Sequence, residues 1–190
     1  LLTLRRVFGS STFGPVSLLI TPKEKYLITD NIEAVRLTQE EKLTYQGWDF
    51  RVVPWHEKNQ VITQLTTKMK LGADRPLPGA KDLSIEVARL RTQLTPEENV
   101  RFRVLSRFCA EAMNIAARSI QPGWTEHQIA SKLAGEALAR GVTPIVNLIA
   151  TDERIFAYRH PLPTYKSLER YAMLVLCGRR WGLVCSITRL

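Results

Sequence analysis

Residues 95–130 read TPEENVRFRVLSRFCAEAMNIAARSIQPGWTEHQIA, and they predict two consecutive helices. Thr95 supplies a hydroxyl cap, a proline takes the first helical position, and Glu98 completes a capping box. Pro122-Gly123 ends this helix, and a second capping box begins at Thr125. Apolar residues in the first helix recur at steps of three and four and predict one buried stripe: Val100, Val104, Leu105, Phe108, Ala112, Ile115 and Ala116.

Beyond Gly141 the apolar residues follow the shorter period of strands. Ile145–Ala150 predicts a buried strand, and two further strand-like runs cover Tyr171–Cys177 and Leu183–Leu190. Gly178–Gly182 separates these two runs and predicts a hairpin turn, because glycine stands at both of its ends. This part of the chain therefore predicts two helices followed by a strand and a β-hairpin.

The first eighty residues alternate strand-like and helix-like patterns. Val16–Ile20 and Tyr26–Thr29 predict a hairpin, because the proline and charged residues between them favour a solvated turn. The following elements are predicted in this order: a helix capped by Asn31, with Ile32, Val35 and Leu43 on its apolar side and its end near Gly47; a strand over Asp49–Pro54; a helix over Glu57–Met69; and a break at Arg75–Gly79.

The composition of the 190 residues is that of a folded protein. Hydrophobic residues make up 45% and charged residues 24%, so a largely disordered chain is excluded. No apolar run approaches the roughly 20 residues of a membrane span, and residues 1–6 lack the order of a signal peptide. We therefore expect a soluble, cytoplasmic protein with no membrane partner.

The basic surplus is spread along the chain. Lysine and arginine number 27 against 18 acidic residues, which gives a formal net charge of +9. Residues 1–80, 81–150 and 151–190 carry surpluses of three, two and four positive charges. Because no segment is a polybasic arm, this pattern favours a solvated surface over a nucleic-acid track.

The three cysteines form neither a disulfide framework nor a zinc-ribbon pattern, because none lies in a Cys-x-x-Cys arrangement. Cys177 and Cys185 are candidates to face one another across the predicted hairpin, but two thiols without further ligands are typical of small buried groups. Ser186 lacks the Gly-x-Ser-x-Gly elbow of a nucleophile. These residues alone predict no cofactor, no metal site and no catalytic residue.

Four short motifs carry a resemblance to a known family. They are TPEE at 95–98, IQPGWTE at 120–126, HPLPT at 160–164 and GLVCSITR at 182–189. In this order they resemble the creatinase, aminopeptidase P and prolidase family. The resemblance implies an α/β N-terminal domain over residues 1–80, with its start missing, followed over residues 81–190 by the first part of an incomplete α+β pita-bread domain.

In catalytic members of that family, two aspartates on neighbouring strands hold two divalent cations such as manganese, cobalt or zinc. They lie in patterns like Asp-x-Gly and Gly-Tyr-x-Ser-Asp-x-Thr-Arg. Aligning the first glycine with Gly178 puts the first aspartate position at Leu176, and aligning Thr188-Arg189 puts the second at Ser186. The family's remaining histidine and two glutamate ligands lie further along than this sequence reaches. The resemblance therefore implies a metal site whose two visible ligand positions are substituted.

The resemblance also implies a substrate-binding role for His160. The family has a histidine at this loop position, where an imidazole donates to a substrate carbonyl or a developing oxyanion. A loop histidine hydrogen-bonded to the backbone fits the sequence equally well. The two interpretations stay open at this point.

Together, these features predict a homologue of the Xaa-Pro peptidases aminopeptidase P and prolidase that is catalytically degenerate, because Leu176 and Ser186 replace the two aspartates. One alternative is a pita-bread module that binds peptides or proteins without hydrolysing them. A second alternative is a metal-free amidinohydrolase like creatinase. The resemblance further implies a homodimer, with a peptide or a small molecule as its ligand.

Overall fold

The structure is a computed structural model that describes residues 16–190, in two compact units. The first unit ends at Gln93, and the second covers Leu94–Leu190. Residues 1–15 of the predicted N-terminal domain lie outside the described part of the chain. Within residues 16–190, no helix is both long enough and apolar enough to cross a membrane.

The first unit is built on a three-stranded sheet in the order β1-β2-β3. β1 (Ser17–Ile20) and β2 (Lys25–Asp30) are antiparallel, and the amide of Thr21 donates to the carbonyl of Glu24 at 2.8 Å across their turn. β3 (Asp49–Val53) pairs with β2 in parallel. The predicted hairpin and the strand that follows it are confirmed.

The helix predicted between Asn31 and Gly47 is wrong in its length. α1 covers only Ala34–Gln39, and a separate 3-10 turn covers Leu43–Gln46. Lys42 lies between them with a φ of 52°, a left-handed conformation that an α-helix cannot contain. The apolar pattern therefore spans two short elements that meet at a sharp bend.

The start of α1 is held by the residue before the predicted cap. Asp30 Oδ1 accepts hydrogen bonds from the amides of Ile32 at 3.1 Å and Glu33 at 2.9 Å. The predicted apolar side is confirmed for Leu43, which is buried, and is wrong for Ile32 and Val35, which are exposed, whereas Leu37 is fully buried. Because α1 begins later in the chain than predicted, a different set of its residues faces the sheet.

The remaining elements of the first unit are short. α2 (Lys58–Leu65) ends earlier than predicted, and Lys68 takes a φ of 64° that prevents a further helical turn. β4 (Leu71–Ala73) and β5 (Ala80–Asp82) form a two-stranded parallel sheet. α3 (Ser84–Arg91) follows, and none of its residues is buried.

The second unit places two long helices on one face of an antiparallel sheet. Both predicted capping boxes are present. The Thr95 hydroxyl accepts from the Glu98 amide at 3.2 Å, and the Thr125 hydroxyl accepts from the Gln128 amide at 3.2 Å. The elements are α4 (Pro96–Ser119), α5 (Glu126–Ala139), β6 (Thr143–Thr151), α6 (Arg154–Ala157), β7 (Ala172–Arg180) and β8 (Leu183–Arg189), and the sheet order is β6-β7-β8.

The core of the second unit lies between these helices and the sheet. Leu105, Cys109 and Met113 of α4 are fully buried together with Leu133 of α5 and Leu174 of β7. Each large aliphatic side chain in this layer contributes roughly 1.5–3 kcal/mol through its burial. The predicted helical hairpin is therefore covered by the sheet that follows it in the chain.

Two residues of the predicted α4 stripe lie outside this core. Val100 is 64% exposed and Ile115 is 40% exposed. Because successive residues of a helix are about 100° apart, the buried residues Leu105, Cys109, Ala112 and Ala116 fall in one narrow row along α4. Val100 and Ile115 fall beside that row, so the prediction of their burial is wrong.

Candidate functional site

A two-residue turn joins β7 to β8. Trp181 and Gly182 are its only residues, and their φ values of 52° and 77° are the positive pair that a type I′ hairpin turn requires. The predicted turn over Gly178–Gly182 is too long, because its first three residues belong to β7. The strands pair without interruption over seven residue pairs, so the turn fixes the register of the hairpin.

This register assigns each hairpin side chain to one of two sheet faces. Leu176 pairs with Ile187, and Cys177 pairs with Ser186. Paired residues share a face, and successive residues along a strand alternate between faces. Leu176 and Ile187 pack into the core under the helices, on what we call the helix face. Cys177 and Ser186 therefore lie on the opposite side of the sheet, which we call the far face.

The far face carries no acidic side chain, because β6, β7 and β8 contain neither aspartate nor glutamate. Its residues are half-buried or exposed, apart from Ala150. By register it comprises Thr143, Val146, Leu148 and Ala150 of β6, Met173, Val175, Cys177 and Arg179 of β7, and Val184, Ser186 and Thr188 of β8.

Cys177 and Ser186 make a direct polar contact on the far face. The Cys177 sulfur and the Ser186 hydroxyl oxygen lie 3.3 Å apart. Hard divalent cations take carboxylate and carbonyl oxygens, and a neutral hydroxyl beside a thiol is a poor substitute. Among residues 16–190, no three histidine, cysteine, aspartate or glutamate side chains are grouped to hold a metal ion. These strands therefore do not fit the dinuclear site that the family resemblance implies.

Leu176 and Gly178 are explained by packing on the helix face. Leu176 is fully buried in the core of the second unit. A Cβ atom on Gly178 would lie 2.5 Å from the sulfur of Cys109 and 2.6 Å from Cγ1 of Val142. Because real Cβ atoms do not approach so closely, only glycine lets α4 pack this near to β7.

The cysteines do not assemble into a reactive cluster. Cys185 lies on the helix face opposite Gly178, so the prediction that it faces Cys177 is wrong. Burial, reinforced by the neighbouring thiol of Cys185, raises the pKa of Cys109 to about 12. Cys109 is therefore a protonated, apolar part of the core, since the thiolate is the nucleophilic form.

A buried carboxylate anchors the loop between α6 and β7. Glu126 is fully buried and accepts from the amide and hydroxyl of Thr151 at 2.8 and 3.0 Å and from those of Thr164 at 2.9 and 2.7 Å. Arg154 forms an ion pair with the same carboxylate. Burial acts to raise the pKa of Glu126, but the arginine and the threonine donors outweigh it and hold that pKa below its usual range.

A second carboxylate closes the other end of the same loop. Asp152 accepts from the consecutive amides of Glu169, Arg170 and Tyr171 at 3.0, 2.9 and 3.0 Å. Burial acts to raise the pKa of Asp152, and the three amides outweigh it and lower the pKa. Asp152 has a φ of 51°, which aspartate tolerates better than most residues. Both carboxylates are therefore saturated by structural donors.

The sequence had not identified these two anchors. Glu126 is the last residue of the IQPGWTE motif. Gln128 already completes the capping box, so the carboxylate of Glu126 is not needed to cap the helix. Asp152 directly follows a buried strand and begins a polar loop. An acidic residue directly beside the predicted end of an apolar element is the sequence signal that could have identified both residues.

His160 lies on the loop that these anchors hold. It is exposed, and within the described residues its ring has no hydrogen-bonding partner, so the backbone-bonded alternative is not observed. None of the described contacts joins it to Cys177 or Ser186. Two aromatic rings of this region, Phe156 of α6 and Tyr165 of the loop, are 85% and 84% exposed. The substrate-binding role of His160 stays a prediction.

The fold has close counterparts among solved structures, although no protein-family model and no curated protein matches the sequence. The Xaa-Pro dipeptidase from Bacillus anthracis superposes with a TM-score of 0.67 and 19% identity, over 95% of this chain and 55% of that chain. The X-Pro aminopeptidase from Thermotoga maritima MSB8 gives 0.71 and 20%, over 94% and 54%. The prolidase from Pyrococcus furiosus gives 0.70 and 20%, over 95% and 60%.

These similarities confirm the predicted fold class. The chain folds as the corresponding part of these prolidase and aminopeptidase structures, and it spans between 54% and 60% of the length of the three. At 19–20% identity the likeness is one of architecture. What the chain does depends on the residues that this architecture presents.

Proposed function

We propose that this chain, which shares the fold of prolidase and aminopeptidase P structures, belongs to a catalytically degenerate homologue of the Xaa-Pro peptidases. The observation that carries the proposal is the far face of the hairpin, which presents the thiol of Cys177 and the hydroxyl of Ser186 and no carboxylate. The resemblance implies two aspartates on these strands. Their replacement removes the bridging and terminal ligands of a dinuclear cation site.

The electrostatics of a dinuclear site support this proposal. Two +2 ions about 4 Å apart repel each other by roughly 16 kcal/mol at an effective dielectric constant of about 20. Anionic oxygens between the ions must offset that repulsion, and neither Cys177 nor Ser186 provides one. Arg179 lies on the same face and adds a positive charge. We therefore expect these strands to bind no pair of divalent cations.

Metal content and turnover test this proposal directly. The full-length protein is purified without chelator, incubated with manganese, cobalt or zinc, and passed through a desalting column before elemental analysis. We expect fewer than about 0.2 ions per chain and no cleavage of Xaa-Pro dipeptides above the rate without protein. About two ions per chain, together with chelator-sensitive cleavage, would refute the proposal. Turnover of creatine without metal would indicate the amidinohydrolase alternative instead.

A second candidate function is peptide binding without hydrolysis. It is favoured by the loop that Glu126 and Asp152 hold in place, because this loop presents the imidazole of His160 and the exposed ring of Tyr165, and the exposed ring of Phe156 lies in α6 just before it. A loop whose conformation is already fixed loses little entropy when it binds a ligand. Aromatic side chains on such a loop offer apolar surface for an extended peptide.

Calorimetric titration with the dipeptide Ala-Pro and with Ala-Ala tests peptide binding in the full-length protein. We expect Ala-Pro to bind and remain intact over a long incubation, and His160→Ala to weaken its binding at least threefold. His56→Ala is the matched control, because His56 is an exposed histidine of the first unit. Absence of any affinity for either dipeptide would remove this candidate.

The assembly and location of the protein follow from the same resemblance. We expect a cytoplasmic homodimer. Analytical ultracentrifugation of the full-length protein at several concentrations checks the assembly, and a mass of one chain throughout would exclude the dimer.

A further inference from the structure

We propose that the first unit binds an organic phosphate monoester in a cleft beside the turn between β1 and β2. The cleft has a volume of about 450 Å³, within the range of roughly 300–1,000 Å³ that is usual for small-molecule sites. Lys23 and Lys25 line it on the side of the turn, and Gly47 and Asp49 line it at the start of β3. All of these residues belong to the first unit, so the inference does not depend on the proposed function.

The ammonium group of Lys25 is already held in position at this cleft. Its Nζ donates to the carbonyl of Gln46 at 2.7 Å and lies 5.1 Å from the centre of the Trp48 ring. An ammonium has three N–H donors, and the carbonyl takes only one of them. Within residues 16–190 no carboxylate pairs with Lys25. Because the cation is fixed before a ligand arrives, little entropy is lost when an anion binds to it.

The two acidic residues of the cleft have partners of their own. Glu24 accepts a hydrogen bond from the hydroxyl of Tyr26, and Asp49 forms an ion pair with Arg51 at 2.7 Å. With this arginine included, three positive charges face two negative ones. The two lysines are therefore the charges that remain for a ligand, and they favour an anion.

The chemistry of these lysines favours phosphate over carboxylate. An ammonium binds phosphate as a point charge, whereas the planar fork of arginine matches the two oxygens of a carboxylate. A phosphate monoester carries a charge of about −1.5 to −2 at pH 7. One phosphate group therefore matches the combined charge of the two lysines.

Two apolar residues of the cleft indicate an organic substituent on the phosphate. Ile20 ends β1 and is 73% exposed, and Pro22 follows it in the turn. Both line the cleft beside the lysines. Small-molecule sites combine apolar surface with a few polar groups that fix the orientation of the ligand. We therefore expect an apolar or aromatic phosphate monoester to bind more tightly than inorganic phosphate.

Calorimetric titration of the full-length protein with phenyl phosphate, at pH 7.5 and low ionic strength, tests the site. We expect saturable binding that Lys25→Met weakens at least fivefold. Lys70→Met is the matched control, because Lys70 is an exposed lysine of the same unit outside the cleft, and its affinity should stay within twofold of the unchanged protein. No saturable binding, or equal weakening in both variants, would overturn the proposal.

A second variant keeps the test decisive if the loss of the contact between Lys25 and Gln46 disturbs the fold. Lys23 is exposed, and within residues 16–190 its ammonium has no hydrogen-bond or ion-pair partner, so Lys23→Met leaves the described contacts intact. We expect this variant to weaken the binding of phenyl phosphate at least threefold. Unchanged affinity would show that the two lysines do not share one ligand and would overturn the proposal.

A comparison of two ligands tests the organic part of the assignment. Ile20→Thr removes apolar surface from the cleft and keeps a β-branched residue in β1. We expect it to weaken the binding of phenyl phosphate at least twofold and to leave the binding of inorganic phosphate unchanged. If inorganic phosphate bound the unchanged protein as tightly as phenyl phosphate, the assignment of a phosphate monoester would be wrong.

Discussion

The loop between α6 and β7 and the far face of the sheet use acidic residues in opposite ways. The loop depends on two buried carboxylates, Glu126 and Asp152, which accept hydrogen bonds from threonines and from three consecutive backbone amides. The far face, where the family resemblance implies carboxylates, carries none. The role of a buried acid is therefore identified by its partners, because an acid whose oxygens already accept hydrogen bonds from structural donors is not available to ligate a metal ion.

The largest effect that we expect tests the loop side of this comparison. Glu126→Gln keeps the size of the side chain but leaves the guanidinium of Arg154 without its counter-charge and turns an amide towards the Thr164 donors. Breaking a buried ion pair from one side costs about 3–5 kcal/mol. Urea unfolding at pH 7 measures the loss, and Glu153→Gln, at an exposed acid, is the control. Equal stability of the two variants would show that Glu126 is not an anchor.

The next effect compares the two faces of β7 at neighbouring positions. Leu176→Ala removes a fully buried side chain and is expected to lower the free energy of unfolding by about 2–5 kcal/mol. Cys177→Ala truncates a half-buried residue on the far face, and we expect a loss of about 1 kcal/mol or less. Urea unfolding of both variants provides the measurement. A larger loss for Cys177→Ala would reverse the assignment of faces.

Acid should weaken the loop and leave the far face unaffected. The pKa values of Glu126 and Asp152 are lowered in the folded protein, so their stabilisation is fully present above their unfolded values of about 4. It is lost as the pH falls through the lowered folded values. Unfolding free energies measured between pH 7 and pH 3 should therefore decrease towards acid, with a shallower decrease in Glu126→Gln. If the unfolding free energy of Glu126→Gln decreased towards acid as steeply as that of the unchanged protein, the Glu126 carboxylate would not stabilise the loop.

A further variant tests the close packing on the helix face. Gly178→Ala introduces a Cβ atom 2.5 Å from the sulfur of Cys109 and should destabilise the protein by about 1–3 kcal/mol. Combining it with Cys109→Ala removes one of the two colliding atoms, so part of the loss should be recovered. Urea unfolding of the single and double variants measures this coupling. Strictly additive losses would mean that the close approach of α4 does not explain the glycine.

The local features of the fold could be predicted from the sequence. The boxes that begin at Thr95 and Thr125 were correct because capping is decided by residues three positions apart. The hairpin of β1 and β2 was also correct, because a turn-forming proline and charges lie between two apolar runs. The prediction of one long helix through Lys42 was wrong, since a single residue in the left-handed conformation divides an apolar pattern that otherwise looks continuous.

The features of the site depend on contacts that sequence patterns do not contain. The faces of Leu176 and Cys177 follow from the length of the turn at Trp181, and glycines at both ends of the predicted turn suggested a longer one. The role of Glu126 depends on Thr151 and Thr164, which are 25 and 38 residues away. Contacts between residues so far apart in the sequence form only when the helices and the sheet are packed together.

The two-residue turn at Trp181 and Gly182 also restricts how this hairpin can change in evolution. If one inserted residue slid the pairing of β8 by one step, its side chains would exchange faces, bringing Ser186 into the core and Ile187 out of it. Such an insertion would act on the whole strand at once, whereas a substitution acts on one residue. Sequences descended from this one should therefore vary more freely at Ser186 than in the number of residues between the two strands.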